Sequence, residues 1–249
     1  MLKGRIHSIE TMGLMDGPGI RTIFFMQGCG LKCSYCHNPD SIRFHGGRLY
    51  TVDELVSFVK RYRSYYKETG GVTFSGGEAL MQGKFLSEAV KALKKENISI
   101  ALDTCGVGQP QYYAEILEHV DVLLLDIKHV DPEGFKQLTG VCQEKTRKFM
   151  ELVNGFQGRI WIRHTMVPGI TDSHQAMDAL FDHIKGWTEH IDKIEILPYH
   201  KMGVGKYELM GLPDPLKDTP EMSKPRAKEF QDYIEDKLTC EKKRMGLDR

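Results

Sequence analysis

Short apolar runs separated by amphipathic stretches recur along this chain from residue 21 to residue 197. Residues 21–27 (RTIFFMQ) read as a buried strand that runs into a loop rich in cysteine and glycine. Thr51 and Glu54 have the spacing of a capping box, and Val52, Leu55, Val56 and Val59 form a helical stripe behind it. Residues 71–74 (GVTF) read as a second strand, and Phe85, Leu86, Ala89, Val90 and Leu93 mark the inner face of the helix that follows. Residues 98–103 (ISIALD) read as a third strand, with a helix near 111–119, and 121–127 (DVLLLDI) as a fourth, apolar enough to be covered on both faces. A helix near 144–154, a fifth strand at 159–167, a helix near 173–185 and a sixth strand at 193–197 (KIEIL) continue the alternation. A polar, Pro-containing segment then leads to a last helix near 221–237.

Apolar strands alternating with amphipathic helices imply an α/β fold with parallel pairing and right-handed crossovers. Six units are too few for the closed eight-stranded barrel. The expectation is an open, partial barrel, and strand counting leaves a doubly wound sheet as its rival. With no internal repeat or linker, the chain is expected to form a single domain over 1–249, with its core at about 15–200 and a helical C-terminal extension at about 201–249.

The composition agrees with a globular protein: 41% hydrophobic and 27% charged residues in 249. Formal net charge is zero, so no global field argues for nucleic acid or an anionic membrane as partner. No apolar run approaches a membrane span, and the first residues, MLKGRIHSIETMG, lack the apolar segment of a secretory signal. The chain is therefore expected in the cytoplasm, where thiols stay reduced. Of its six cysteines, Cys105, Cys142 and Cys240 are scattered and read as partly buried thiols.

Parallel α/β folds carry their sites at the carboxyl ends of strands, and the unusual polar residues of this chain collect there. Cys29, Cys33 and Cys36 follow the first strand, and Ser75, Gly76, Gly77 and Glu78 the second. Asp103 and Thr104 close the third, Asp126 and Lys128 the fourth, Arg163 and His164 belong to the fifth, and Tyr199 and His200 follow the sixth. Three cysteines in the spacing Cys-x3-Cys-x2-Cys suit three irons of a 4Fe-4S cluster and leave a fourth iron without a cysteine, whereas a closed structural metal site takes four ligands. Zinc on Cys33 and Cys36, or a redox dithiol, are the competing readings, and each leaves a ligand or a cysteine unaccounted for. The paired glycines at 76 and 77 read as a tight turn or as backbone that holds an amino-acid-like ligand, and Glu78 as part of that turn or as a helix N-terminal charge. Asp126 and Lys128 lie two apart in an apolar run, so they need each other or a charged ligand. Asp103 and Thr104 are also candidate caps, Arg163 a candidate salt bridge, and the remaining histidines are taken as surface or structural.

These residues resemble the radical S-adenosylmethionine enzymes. The three-cysteine loop with aromatic Tyr35 before its last cysteine, and the turn Gly76-Gly77-Glu78, are that superfamily's hallmarks. More narrowly, the segments MDGPGIR, CSYCHNPD, TFSGGEAL, LDTCG, LLLDIKH, WIRHTMVPGITD and KIEILPYH resemble the activating enzymes of glycyl radical enzymes. The resemblance implies a partial (β/α)6 barrel and cluster ligation by Cys29, Cys33 and Cys36. It implies S-adenosylmethionine bound by the backbone of Tyr35, Cys36 and His37, by the Gly76-Gly77-Glu78 turn, by Asp126, Ile127 and Lys128, and by His200. Asp16 and Arg163 are implied near the target loop, and Asp103 and Thr104 at a monovalent cation. The implied reaction is reductive cleavage to a 5′-deoxyadenosyl radical that takes a hydrogen atom from a glycine of a partner enzyme. Reduced flavodoxin or ferredoxin is the implied electron donor. The stretch from Pro39 to Gly71 lacks the cysteine-rich insert of several relatives, which favours pyruvate formate-lyase (formate C-acetyltransferase) as the partner. The activation of another glycyl radical enzyme, small-molecule radical chemistry and simple electron transfer are the alternatives.

Overall fold

The computed structural model describes residues 2–247. The chain divides into two compact units, one formed by Met1–Leu31, Asp40–Leu125 and Lys145–Gly158, the other by Lys32–Pro39, Asp126–Glu144 and Arg159–Arg249.

The first unit carries β1 (Lys3–Gly13), β2 (Arg21–Met26), β3 (Arg48–Thr51), β4 (Gly71–Gly76), β5 (Ser99–Thr104) and β6 (Val122–Asp126, whose last residue belongs to the second unit). Their order is β3-β1-β2-β4-β5-β6. β2, β4, β5 and β6 are parallel neighbours, as the apolar runs imply. β1 pairs antiparallel with both β2 and β3. These two antiparallel strands have no counterpart in the sequence reading, because β1 buries only Gly4, Ile6 and Gly13 and shows no sustained apolar alternation. The capping box at Thr51 is formed in full: the Thr51 hydroxyl accepts from the Glu54 amide and the Glu54 carboxylate accepts from the Thr51 amide, starting the helix Val52–Lys60. The helix Gly83–Lys95 buries Phe85, Leu86, Ala89, Val90 and Leu93, the face its periodicity marks.

Two buried charged side chains hold this unit's strand ends in place. Arg21 is completely buried. Its guanidinium donates to the Thr73 hydroxyl at 2.7 Å and to the carbonyls of Val72 at 2.7 Å, Ser99 at 3.1 Å and Pro18 at 3.0 Å. The Thr73 hydroxyl in turn donates to the Asp16 carbonyl at 2.6 Å, so one side chain ties the loop before β2 to β4 and β5. At the other end of β4, Glu78 is buried and accepts from the amides of Leu80 and Cys105, from the Thr104 hydroxyl at 2.6 Å and from the Cys105 thiol at 3.0 Å.

The second unit holds β7 (Arg159–Met166) and β8 (Ile191–Pro198), which are parallel. Their connection contains the helix His174–Ile184, expected near 173–185, and the Ser173 hydroxyl caps it by accepting from the Ala176 amide. The helix Pro132–Thr139 was not anticipated, although Asp131 caps it, Pro132 opens it and Gly140 closes it at a left-handed φ of 74°. The last helix, Lys224–Arg244, lies along β8, where Gln231 donates to the Ile194 carbonyl and accepts from the Ile196 amide. Among the described residues the parallel strands are β2, β4, β5 and β6 in the first unit and β7 and β8 in the second, six in all, the content of a (β/α)6 fold. Among the described residues no helix is long and apolar enough to cross a membrane.

Replacing Thr51 by alanine removes the cap and should lower the unfolding free energy by about 1 kcal/mol, read as a lower urea midpoint at unchanged slope. Burial pushes the Glu78 carboxyl above its ordinary value of 4.5, so the folded chain holds that proton more tightly than the unfolded chain. The resulting stabilisation is complete below about 4.5 and is lost as pH rises through the folded value. In Glu78→Gln that slope is absent. The difference in unfolding free energy between native and variant protein, measured by urea titration from pH 4.5 upward, should therefore move against the native protein as pH rises.

Candidate functional site

In the first unit, the ends of β2, β4 and β5 are drawn together by the backbone. The Gly77 amide donates to the Met26 carbonyl and the Glu78 amide to the Gly28 carbonyl, both at 2.9 Å. Gly28 and Gly76 hold φ values of 100° and 104°, a region that side-chain-bearing residues rarely adopt. A Cβ on Gly77 would run into the Gly28 carbonyl. The paired glycines are thus required both by dihedral and by space, and the turn they form lies against the start of the cysteine loop. That loop is held by the amides of Gly28 and Cys29, which donate to the carbonyls of Ser41 and Ile42 at 2.8 and 3.0 Å. The Leu31 amide donates to the Cys29 sulfur at 3.4 Å.

Two expected residues of β5 point to opposite partners, as successive strand residues must. Asp103 accepts from the Ser75 hydroxyl at 2.6 Å, while Thr104 donates to Glu78 and accepts from the Gly106 amide. Glu78 combines the readings its sequence allowed: it caps the short turn Ala79–Gln82 through the Leu80 amide and binds β5 as well. Cys105, read from sequence only as a buried thiol, proves to be part of this network. All six cysteines are thiols, and Cys142 and Cys240 are exposed rather than partly buried.

The second unit contains the rest of the cysteine loop. Amides of Lys32 and Ser34 donate to the carbonyls of Thr139 and Leu138, and the Cys36 amide to that of Cys33, fixing a tight turn. Tyr35 is buried, with the Lys128 ammonium 5.3 Å from its ring centre and its hydroxyl beside Thr165 without completing a hydrogen bond. Lys128 is also ion-paired with Asp126. Burial pushes the Cys33 thiol up to about 11, while Lys128 acts in the opposite direction. The same burial pushes the Tyr35 phenol well above its ordinary range.

His37 stacks on His200 with ring centres 3.9 Å apart and planes inclined by 16°. Its Nε2 donates to the His200 carbonyl at 2.9 Å, and burial lowers its pKa, keeping the ring neutral. Gly203 makes the neighbouring segment fit, because a Cβ there would come within 2.7 Å of the His37 Cα. A small concave site results, lined by Tyr35, Cys36, His37, Tyr199, His200 and Tyr207 among others. Among the lining residues that the sequence reading missed, with Ser34, Gly203, Val204 and Asp214, is Tyr207. Its position on a short helix, Val204–Leu209, carries no local signal of function.

Four buried side-chain atoms have no hydrogen-bond partner among the described residues: the Tyr35 hydroxyl, Asp126 Oδ1, His164 Nε2 and His200 Nδ1. All four belong to the second unit. Buried polar atoms are ordinarily satisfied, and leaving one unpaired costs roughly 1–3 kcal/mol. His164 does make one bond, from Nδ1 to the Ile127 carbonyl at 2.6 Å, which fixes the backbone between Asp126 and Lys128. Arg163 lies inside β7 rather than at its end, since the strand continues to Met166, and its Nε donates to Glu195 at 3.0 Å.

The expected residues thus fall into two groups. Asp16, Cys29, Gly76, Gly77, Glu78, Asp103 and Thr104 belong to the first unit. Cys33, Tyr35, Cys36, His37, Asp126, Ile127, Lys128, Arg163 and His200 belong to the second.

Residues 23–181 match the radical SAM superfamily. The chain is 46% identical over 239 residues to a pyruvate formate-lyase-activating enzyme of Clostridium pasteurianum, covering 96% of this chain and 100% of that one. It is 40% identical over 242 residues to a pyruvate formate-lyase-activating enzyme of Staphylococcus epidermidis, covering 94% and 96%. Among solved structures, a domain of a pyruvate-formate lyase-activating enzyme from Bacteroides vulgatus aligns over 67% of this chain and 94% of its own, with a TM-score of 0.54 and 22% identity. Streptococcus suis SuiB bound to S-adenosylmethionine aligns over 86% of this chain and 46% of its own, with a TM-score of 0.62 and 14% identity, a likeness of fold. By identity and by coverage of both chains, this protein belongs to the radical SAM superfamily and, within it, to the family of the pyruvate formate-lyase-activating enzymes.

Proposed function

We propose that this chain activates pyruvate formate-lyase (formate C-acetyltransferase) in the cytoplasm, as a single domain over residues 1–249, by creating a radical on one of the partner's glycines. The observation that carries this reading is the buried group in the second unit: an ion-paired Asp126 and Lys128 beside Tyr35 and Cys33, accompanied by four unsatisfied polar atoms. Such a group suits a ligand that carries both charges and several hydrogen-bonding atoms, and S-adenosylmethionine is one. The donor set also suits iron and sulfide. Three cysteine sulfurs are soft ligands, and the Cys33 thiol, which burial holds protonated in the bare chain, ionises readily only against a cation.

Cys29, Cys33 and Cys36 would hold three irons of a 4Fe-4S cluster, leaving the fourth to the amino and carboxylate groups of S-adenosylmethionine. When bound, the pair supplies one-electron reductive cleavage to methionine and a 5′-deoxyadenosyl radical, which removes a hydrogen atom from the glycine. The chain's own residues bind and orient. The Gly76-Gly77-Glu78 turn offers backbone groups to the methionyl amine, with Glu78 keeping that turn fixed to β5. Asp126, Ile127 and Lys128 bind the methionyl and ribose portions, with His200 on the ribose, and the backbone of Tyr35, Cys36 and His37 borders the adenine. Asp103 and Thr104 take a monovalent cation, and Asp16 and Arg163 meet the partner's glycine segment. Reduced flavodoxin or ferredoxin serves as the electron donor.

Protein reconstituted anaerobically with iron and sulfide, then given S-adenosylmethionine, a reductant and the partner, should yield 5′-deoxyadenosine and a glycyl signal by electron paramagnetic resonance. Cys29→Ala should lose both. Protein that takes up zinc but neither iron nor sulfide under these conditions would overturn the reading. Equilibrium dialysis should find S-adenosylmethionine bound about tenfold more weakly by reconstituted Lys128→Met, a loss of about 1.4 kcal/mol.

A further inference from the structure

β7 and β8 pair so that Arg163 stands directly opposite Glu195. Along one face of this pair Trp161, Arg163 and Thr165 alternate on β7, with Lys193, Glu195 and Leu197 on β8. Glu195 divides its carboxylate between two cations: Oε2 accepts from Arg163 Nε at 3.0 Å and Oε1 from Lys193 Nζ at 2.6 Å. The Lys193 ammonium also lies 4.8 Å from the Trp161 ring centre. Only 10% of the Arg163 side chain and 12% of the Glu195 side chain remain exposed, so this is an enclosed pair rather than a surface one. Thr165, two residues beyond Arg163 on the same face, lies beside the Tyr35 hydroxyl.

We propose that Glu195 is a positioning residue for the partner's glycine segment and acts through Arg163. This rests on the reading above that Arg163 meets that segment. An arginine hangs on three methylenes, and its planar fork recognises carbonyls or carboxylates only in the orientation in which it is held. Bonding Nε to a carboxylate anchored on the opposite strand fixes the plane of that fork. Glu195 also stands between the charges of Arg163 and Lys193, which would otherwise repel across adjacent strands. Without Glu195 Oε2, Arg163 Nε loses the acceptor that sets the plane of the guanidinium, and the fork is no longer held in that orientation.

The test is steady-state activation by reconstituted enzyme with the partner concentration varied. Native protein is compared with Glu195→Gln, Arg163→Ala and the double variant. Glu195→Gln keeps the shape of the side chain and should raise KM for the partner about fivefold with kcat within about twofold. Arg163→Ala should raise KM at least as far, and the double variant should be no worse than Arg163→Ala alone. A general loss of structure would lower kcat and multiply across the two sites. Should Glu195→Gln not fold, Glu195→Asp carries the same comparison, with a smaller rise in KM that must also vanish when Arg163 is alanine. If Arg163→Ala raises KM and the Glu195 variant leaves it unchanged, or if the two effects multiply, the role of Glu195 is overturned while that of Arg163 stands. If Arg163→Ala leaves KM unchanged, the reading of Arg163 fails, and the role of Glu195 with it.

Discussion

A carboxylate removed from water must be given donors, and the first unit is arranged around that requirement at Glu78. Its two oxygens accept from the amides of Leu80 and Cys105, from a hydroxyl and from a thiol. These donors come from the turn after β4 and from the end of β5, so satisfying the charge sets the spacing of two strand ends. The neighbouring amides of Gly77 and Glu78 then have only the carbonyls of Met26 and Gly28 to meet, and β2 is brought to the same place. The start of the cysteine loop is therefore positioned by an electrostatic demand at the end of the neighbouring strand, β4. Arg21 imposes the complementary condition at the opposite ends of these strands, where a fully buried guanidinium gathers carbonyls from β4, β5 and the loop before β2.

In the second unit Lys128 has the corresponding part. Its ammonium is paired with Asp126, lies over the face of Tyr35 and opposes the rise in the Cys33 pKa. One cation thus acts on an acid, an aromatic ring and a sulfur. In a site with little water each of these interactions is stronger than it would be in bulk solvent. A ligand bringing its own carboxylate and ammonium would enter a place already organised by charge rather than an apolar hollow.

The parallel strands were legible because each is an uninterrupted apolar run, and the residues at their ends because polar groups break those runs abruptly. Asp126 after VLLL is the plainest case. β1 and β3 were not legible, since β1 buries two glycines and one isoleucine and β3 leaves Arg48 and Leu49 exposed. The helix Pro132–Thr139 had its signals in Asp131, Pro132 and Gly140, but an inner face of Phe135 and Leu138 is too short to show a period. What the sequence lacked entirely were pairings between distant residues. Glu78 with Cys105, Arg163 with Glu195 and His37 with His200 depend on strand register and crossover length, neither of which is written in any local pattern. Residue types announced the chemistry, and the fold chose the partners.

The side chain of Gln231 occupies the hydrogen-bonding groups of β8 at Ile194 and Ile196. An open strand edge is an invitation to any extended peptide, which can lengthen a sheet by binding its backbone without regard to sequence. Along this stretch the helix Lys224–Arg244 has withdrawn the invitation by lending an amide that imitates a neighbouring strand. An extended chain that met this stretch would find the Ile194 carbonyl and the Ile196 amide already taken, with no generic backbone rail to pair along.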